Sequence, residues 1–169
     1  MTAEVNNLNL EFSIKMGQLY SLCATDIELY KDFFVLYNEK DKSITDKAQM
    51  LYIAYLCANL DNKCRLSENQ FYDLLEDNMQ AVNTIYNRLF HKKSDWTFAE
   101  VFERHSKSAI RFPKSYHLAD VDDYYTFFVL NLGVGDETFW NVDIEFLNNV
   151  AINKNAFDSY INYEIEKKR

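Results

Sequence analysis

The side chains able to do chemistry in this chain are three cysteines, three histidines and two pairs of adjacent carboxylates. Their spacing argues against a reaction centre. Cys57 and Cys64 stand seven apart with no CxxC and no HxxxH in the chain, so the spacing that gathers thiolates and imidazoles around a zinc ion is missing. His91, His105 and His117 are scattered through a stretch with weak periodicity. Cys57 lies inside the apolar run Met50–Ala58, where a thiol is inert. Cys64, flanked by Lys63 and Arg65, has the one basic setting that favours a thiolate, and a short polar loop explains that setting as well. Asp122/Asp123 and Asp136/Glu137 fall where first-turn acids complement a helix dipole, which accounts for them without acid–base catalysis. Gly133 and Gly135 lack the lysine and the preceding strand of a phosphate loop and read as a turn. The expectation is a protein with no catalytic residues, no metal and no cofactor.

What the chain has in excess is ring surface. Thirteen Phe, twelve Tyr and two Trp stand against three Gly and one Pro. Glycine and proline shape the tight turns of catalytic and phosphate-binding loops, whereas aromatics of this density favour partner binding. A hydrophobic content of 48% with 26% charged residues describes a globular chain of 169 residues, long enough to bury a real core. A net charge of −8 argues against nucleic acid as the main partner. The apolar run Met50–Ala58 is about half the length of a bilayer span, and Met1–Asn9 shows neither a basic start nor an apolar export segment. Three cysteines, an odd number, fit reduced thiols of a bacterial cytoplasm better than a disulfide framework.

The elements that must position these rings are mainly helical. Leu8, Leu10, Phe12 and Ile14 alternate with polar residues and predict one short N-terminal strand or hairpin. Asp26 can cap a helix to about Glu39, with Ile27, Tyr30, Phe33, Phe34 and Tyr37 on one side. Thr45 or Asp46 opens the next helix, apolar nearly all round from Met50 and so buried between others. Ser67 with Gln70 fits a capping box for a short helix carrying Phe71, Leu74 and Leu75. Met79, Val82, Ile85, Tyr86, Leu89 and Phe90 recur at helical spacing, and the stripe ends at His91, Lys92 and Lys93. Trp96–Phe102 can form a turn or two. Asp120 with Asp123 starts a helix through Tyr124, Phe127, Phe128 and Leu132, stopped by Gly133. Gly135 leads into Asp136–Trp140, and Asp143 or Asn153 can cap a last helix down to Glu164. The fold class expected is a mainly α, multi-helix bundle with a small helical C-terminal module.

Charge divides the chain in the same way. Residues 1–93 carry a net −3, residues 94–117 a net +1 and residues 118–169 a net −6, and seven acids with no Lys or Arg fall between Asp120 and Asn153. The expected organisation is a helical module at 1–93, a connector at 94–117 holding the single Pro113, and a small acidic module at 118–169. That last module carries Phe127, Phe128, Phe139, Trp140, Phe146, Phe157, Tyr160 and Tyr163. A unit so small cannot bury all of these rings by itself, so they either pack on the first module or await a partner.

The stretch MLYIAYLCANLDNKCRLSENQFYDLLEDNMQAVNTIYNRLFHKK resembles the tail assembly chaperones of long-tailed phages and prophages of Gram-positive bacteria. The resemblance rests on the apolar helix with Leu51, Tyr52, Ala54 and Tyr55, and on a polar turn. It continues in a helix with Ser67, Phe71, Leu74, Leu75 and Asp77, and in an amphipathic helix from Met79 to Lys93. With the opening strand it covers about residues 8–93, and it is a pattern of helices rather than a catalytic signature. The segment VGDETFWNVDIEFLNNV is similar to the extension that such phages add to some copies by programmed frameshifting, here through Asp136, Glu137, Phe139, Trp140 and Leu147. This chain departs from that pattern in presenting both pieces continuously, joined by a long connector.

The resemblance implies a non-catalytic role: coating a long helical tape measure protein and, in the extended form, bringing tail-tube protein to it. Candidate partner-binding residues are Phe139, Trp140, Phe127, Phe128, Tyr86 and Phe90, and a homo-oligomer is compatible with the same surface. No membrane or nucleic-acid partner is expected, and the compartment is the cytoplasm of the host bacterium. Two other classes fit the composition. One is a phage structural or connector protein with its rings buried in a permanent oligomer. The other is a small acidic regulatory binder such as an anti-repressor. A tail-tube gene upstream and a very long tape-measure gene downstream would separate the first reading from both.

Overall fold

A computed structural model describes residues 1–76, 78–90 and 118–168 of the chain. The connector expected at 94–117, the three histidines, the Trp96–Phe102 turn and the Lys92–Lys93 junction lie outside the described residues.

The chain opens on an antiparallel hairpin, β1 (Thr2–Val5) paired with β2 (Leu8–Glu11) so that Thr2 faces Glu11 and Val5 faces Leu8. Asn6 and Asn7 make the two-residue turn with φ of 47° and 65°, the left-handed conformation that asparagine tolerates and that a tight hairpin needs. Cross-strand hydrogen bonding ends at Phe12, which exchanges both backbone bonds with Met1 at 2.7 Å, short of the strand expected to Ile14, yet the inward alternation continues through the buried Phe12 and Ile14. The backbone N–H of Ser13 instead donates to the carbonyl of Ala54 at 2.9 Å.

Among the described residues eight α-helices and one π-helical segment follow, beginning with α1 (Met16–Thr25), α2 (Ile27–Asn38), α3 (Ile44–Ala58), α4 (Glu68–Glu76) and α5 (Met79–Phe90). Asp26 caps α2 as expected, its carboxylate accepting from Leu29 N at 3.1 Å. Ile27, the first helical residue, stays exposed instead of joining the inner face. α3 begins one residue ahead of the earliest expected start because Ser43 is its cap. Asp46 N donates to Ser43 Oγ at 3.1 Å and Ser43 N to Asp46 Oδ2 at 2.7 Å, a reciprocal capping box. From Met50 to Cys57 every residue of α3 is buried, and the helix packs against β2, α1, α2, α4 and α5. The Ser67–Gln70 box forms as expected, Ser67 N donating to Gln70 Oε1 at 3.0 Å.

After the undescribed segment come α6 (Val121–Tyr125), a π-helical segment (Thr126–Asn131), α7 (Asp136–Asn141) and α8 (Ile144–Lys167). Asp120 caps α6 through Asp123 N at 2.9 Å. The π register is closed by Leu132 N donating to Phe127 O at 3.0 Å. Gly133, at φ 74°, then turns the chain in a conformation that costs an L-residue about 1 kcal/mol. α8 starts at Ile144, after Asp143, whose side chain makes no capping hydrogen bond, and it runs through Asn153 without a break.

The C-terminal elements close onto the N-terminal ones. Val121, Tyr124, Phe128, Phe139, Ile144 and Leu147 belong to the same buried cluster as Phe12, Phe33, Met50 and Phe71. Backbone joins the two ends directly: Met16 N donates to Val142 O and Ile144 N to Ile14 O, both at 3.2 Å. α1 packs flush on α7, and a Cβ added at Gly17 would stand 2.9 Å from the carbonyl oxygen of Trp140.

Candidate functional site

Two surfaces combine apolar area with defined polar edges. The first is a groove of about 380 Å³ where α3, α4 and α5 diverge, floored by Ile44, Ala48, Leu75, Met79 and Val82, with Thr45 and Tyr72 beside them. Capping positions the groove. The Ser43 box starts α3 so that Ile44 and Ala48 fall on one side, and the Ser67–Gln70 box does the same for Leu75. Asp73 and Glu76 stand at the rim, and among the described residues no Lys or Arg lines it. Met79 opens α5 with half of its surface in solvent.

The second surface is an aromatic platform. Trp140 of α7 stacks on Tyr125 of α6, centroids 5.5 Å apart and planes 29° apart, and Tyr20 of α1 sits 5.5 Å away on a tilted plane. One carboxylate fixes two of the rings: Asp136 Oδ1 accepts from Tyr125 OH at 2.8 Å and from Trp140 Nε1 at 3.1 Å. The hydrogen bond to Asp136 is the main reason the Tyr125 phenol is held above its ordinary pKa, since it favours the protonated hydroxyl. Tyr20 is exposed, and Tyr125 and Trp140 are half-buried.

The six residues expected to face a partner separate sharply. Phe139, Phe128, Tyr86 and Phe90 are core side chains, each at most 4% exposed, and this corrects the expectation that they are accessible anchors. Phe139 and Phe128 are buried because α6 and α7 pack on α1 and the π turn swings Phe128 inward, where it stacks on Tyr124. Phe90 and Tyr86 are buried because the apolar stripe of α5 faces α3, and Phe90 continues into Phe33 and Tyr37 of α2. Burial also pushes the Tyr86 hydroxyl up to about 12. The Tyr86 ring lines a polar hollow with Lys40, Asp41, Lys42 and Lys47, where Lys47 Nζ lies 5.6 Å above it. Trp140 and Phe127 are half-buried, and Trp140 alone of the six belongs to the platform. Tyr20 is not evident from sequence because α1 carries no strong apolar stripe.

Cys57 is fully buried and its thiol is pushed up to about 12 by desolvation, which leaves no thiolate near neutral pH. Among the described residues no group of three or more His, Cys, Asp or Glu side chains is arranged to hold a metal ion, and no helix is long and apolar enough to cross a membrane. Compared with known proteins, the chain matches no family model, no curated protein and no solved structure.

Proposed function

We propose that this chain is a non-catalytic phage tail assembly chaperone, acting in the host cytoplasm, whose α3–α4–α5 groove takes the apolar face of a helix from the tape measure protein. The observation that carries the reading is the groove itself: five aliphatic or thioether side chains in a row between three helices, rimmed by Asp73 and Glu76. A groove between helices receives an amphipathic helix by its i, i+3, i+4 and i+7 positions. Support also comes from position, because α3, α4 and α5 are the helices on which the resemblance to tail assembly chaperones rests. The C-terminal elements then serve a second contact, with tail-tube protein, through surface distinct from the groove.

The test is co-expression of the full chain with the tape measure protein encoded beside it. The chaperone should keep that partner in the soluble fraction. Met79→Asp, which puts a charge on the groove floor at an exposed position, should leave helical content unchanged and return the partner to the pellet. A tape measure protein equally insoluble with and without the wild-type chain would contradict the proposal.

A further inference from the structure

The platform of Tyr20, Tyr125 and Trp140 joins aromatic rings to a carboxylate. Three rings from three elements meet at centroid distances of 5.5 Å. The polar tips of two of them are turned onto Asp136 Oδ1, so hydrogen bonds fix the rings in place before any ligand arrives. A preorganised indole beside phenol rings offers the ring face that attracts a cation most strongly. Asp136 adds a negative charge within the same cluster, and Glu137 follows it on an exposed turn of α7.

The surrounding sequence is depleted of competing cations. Residues 16–30, which supply Tyr20, and residues 118–153, which supply Tyr125 and Trp140, contain no Lys or Arg. The nearest base along α1 is Lys15, at its N-cap and bridged through its backbone to Asp143. These two segments therefore supply aromatic faces and a carboxylate but no cation of their own.

From this we infer that the platform docks an arginine side chain of a partner protein, the guanidinium lying over the Trp140 and Tyr20 rings with its N–H groups toward the Asp136 carboxylate. Arginine fits better than lysine because its planar, weakly hydrated group stacks and donates at the same time. This inference is independent of the groove, and it stands or falls without the tape measure reading.

The test uses the ¹⁵N-labelled full chain and follows the Trp140 indole N–H resonance, identified as the one that persists in a Trp96→Phe variant. The probes are the capped tripeptide Ac-Gly-Arg-Gly-amide and its citrulline counterpart, which keeps the shape and loses the charge. The arginine peptide should shift the resonance saturably, and citrulline should bind at least about threefold more weakly, the worth of an exposed cation–π contact. Tyr20→Leu, a change at an exposed side chain, should weaken the arginine response by a similar factor. No shift with arginine, an equal response to citrulline, or an unchanged response in Tyr20→Leu would each overturn the assignment.

Discussion

Tyr37 OH donates to Glu145 Oε1 at 2.6 Å and ties α2 to α8 across 108 positions of sequence. Asn148 Nδ2 donates back to the same phenol oxygen at 2.5 Å. Burial holds the Tyr37 hydroxyl well above its ordinary pKa and also raises the Glu145 carboxyl, only partly offset by the Tyr37 hydrogen bond and by Lys42. A carboxyl with a raised pKa binds its proton more tightly in the folded chain than in the unfolded one. Folding stability contributed by Glu145 therefore declines as pH rises from the ordinary carboxylate range through the raised value. Glu145→Gln keeps an acceptor for Tyr37 and removes the ionised form. Urea titrations should find it at least as stable as wild type at pH 7 and flatter between pH 4 and pH 7. Glu145→Ala, which takes the acceptor from the Tyr37 O–H while Asn148 still donates to its oxygen, should lose about 1–3 kcal/mol.

Gly17 is required by the close approach of α1 to α7. In Gly17→Ala the new methyl would meet the Trp140 carbonyl at 2.9 Å, and moving packed backbone should cost about 1–3 kcal/mol. Gly135→Ala meets nothing closer than Thr138 Oγ1 at 3.7 Å and should be neutral or slightly stabilising. Thermal melts of the pair separate close packing from a general intolerance of the C-terminal elements.

Phe139 and Trp140 are neighbours with different roles. Phe139 is fully buried, and Phe139→Ala should cost about 3–5 kcal/mol through the cavity it leaves. Trp140 is only half-buried, so Trp140→Phe should cost less while removing the indole that stacks on Tyr125. Denaturant midpoints of the two single variants check this, and equal losses would place Trp140 in the core as well.

Local features of the fold were the legible ones. The buried run Met50–Cys57, the Ser67–Gln70 box, the Asp26 and Asp120 caps and the Gly133 stop each depend on residues within a turn of one another, and each was readable in sequence. β1 stood in sequence only as the hairpin alternative to a single strand, because Thr2–Val5 is too short for its alternation to stand out. α1 is not legible because Gly17 and a mixed polar composition blur its periodicity. What sequence could not settle was where the C-terminal rings go. Phe128 and Phe139 have the same local pattern whether they cover the first helices or face a partner. The deciding interactions, Met16–Val142, Ile14–Ile144 and Tyr37–Glu145, span more than a hundred residues. The platform was half legible, through Trp140, and its Tyr20 component arises only when α1 meets α7.

The most direct test of the groove is site-specific photo-crosslinking in the co-expressed full chain. A photoreactive amino acid placed at Met79 or Thr45, both lining the groove and exposed, should give a covalent adduct with the tape measure protein. The same group at Glu28, on the exposed first turn of α2, should give none. Adducts at Glu28 equal to those at Met79, or none at either groove position while the partner stays soluble, would show that the α3–α4–α5 groove is not where the partner is held.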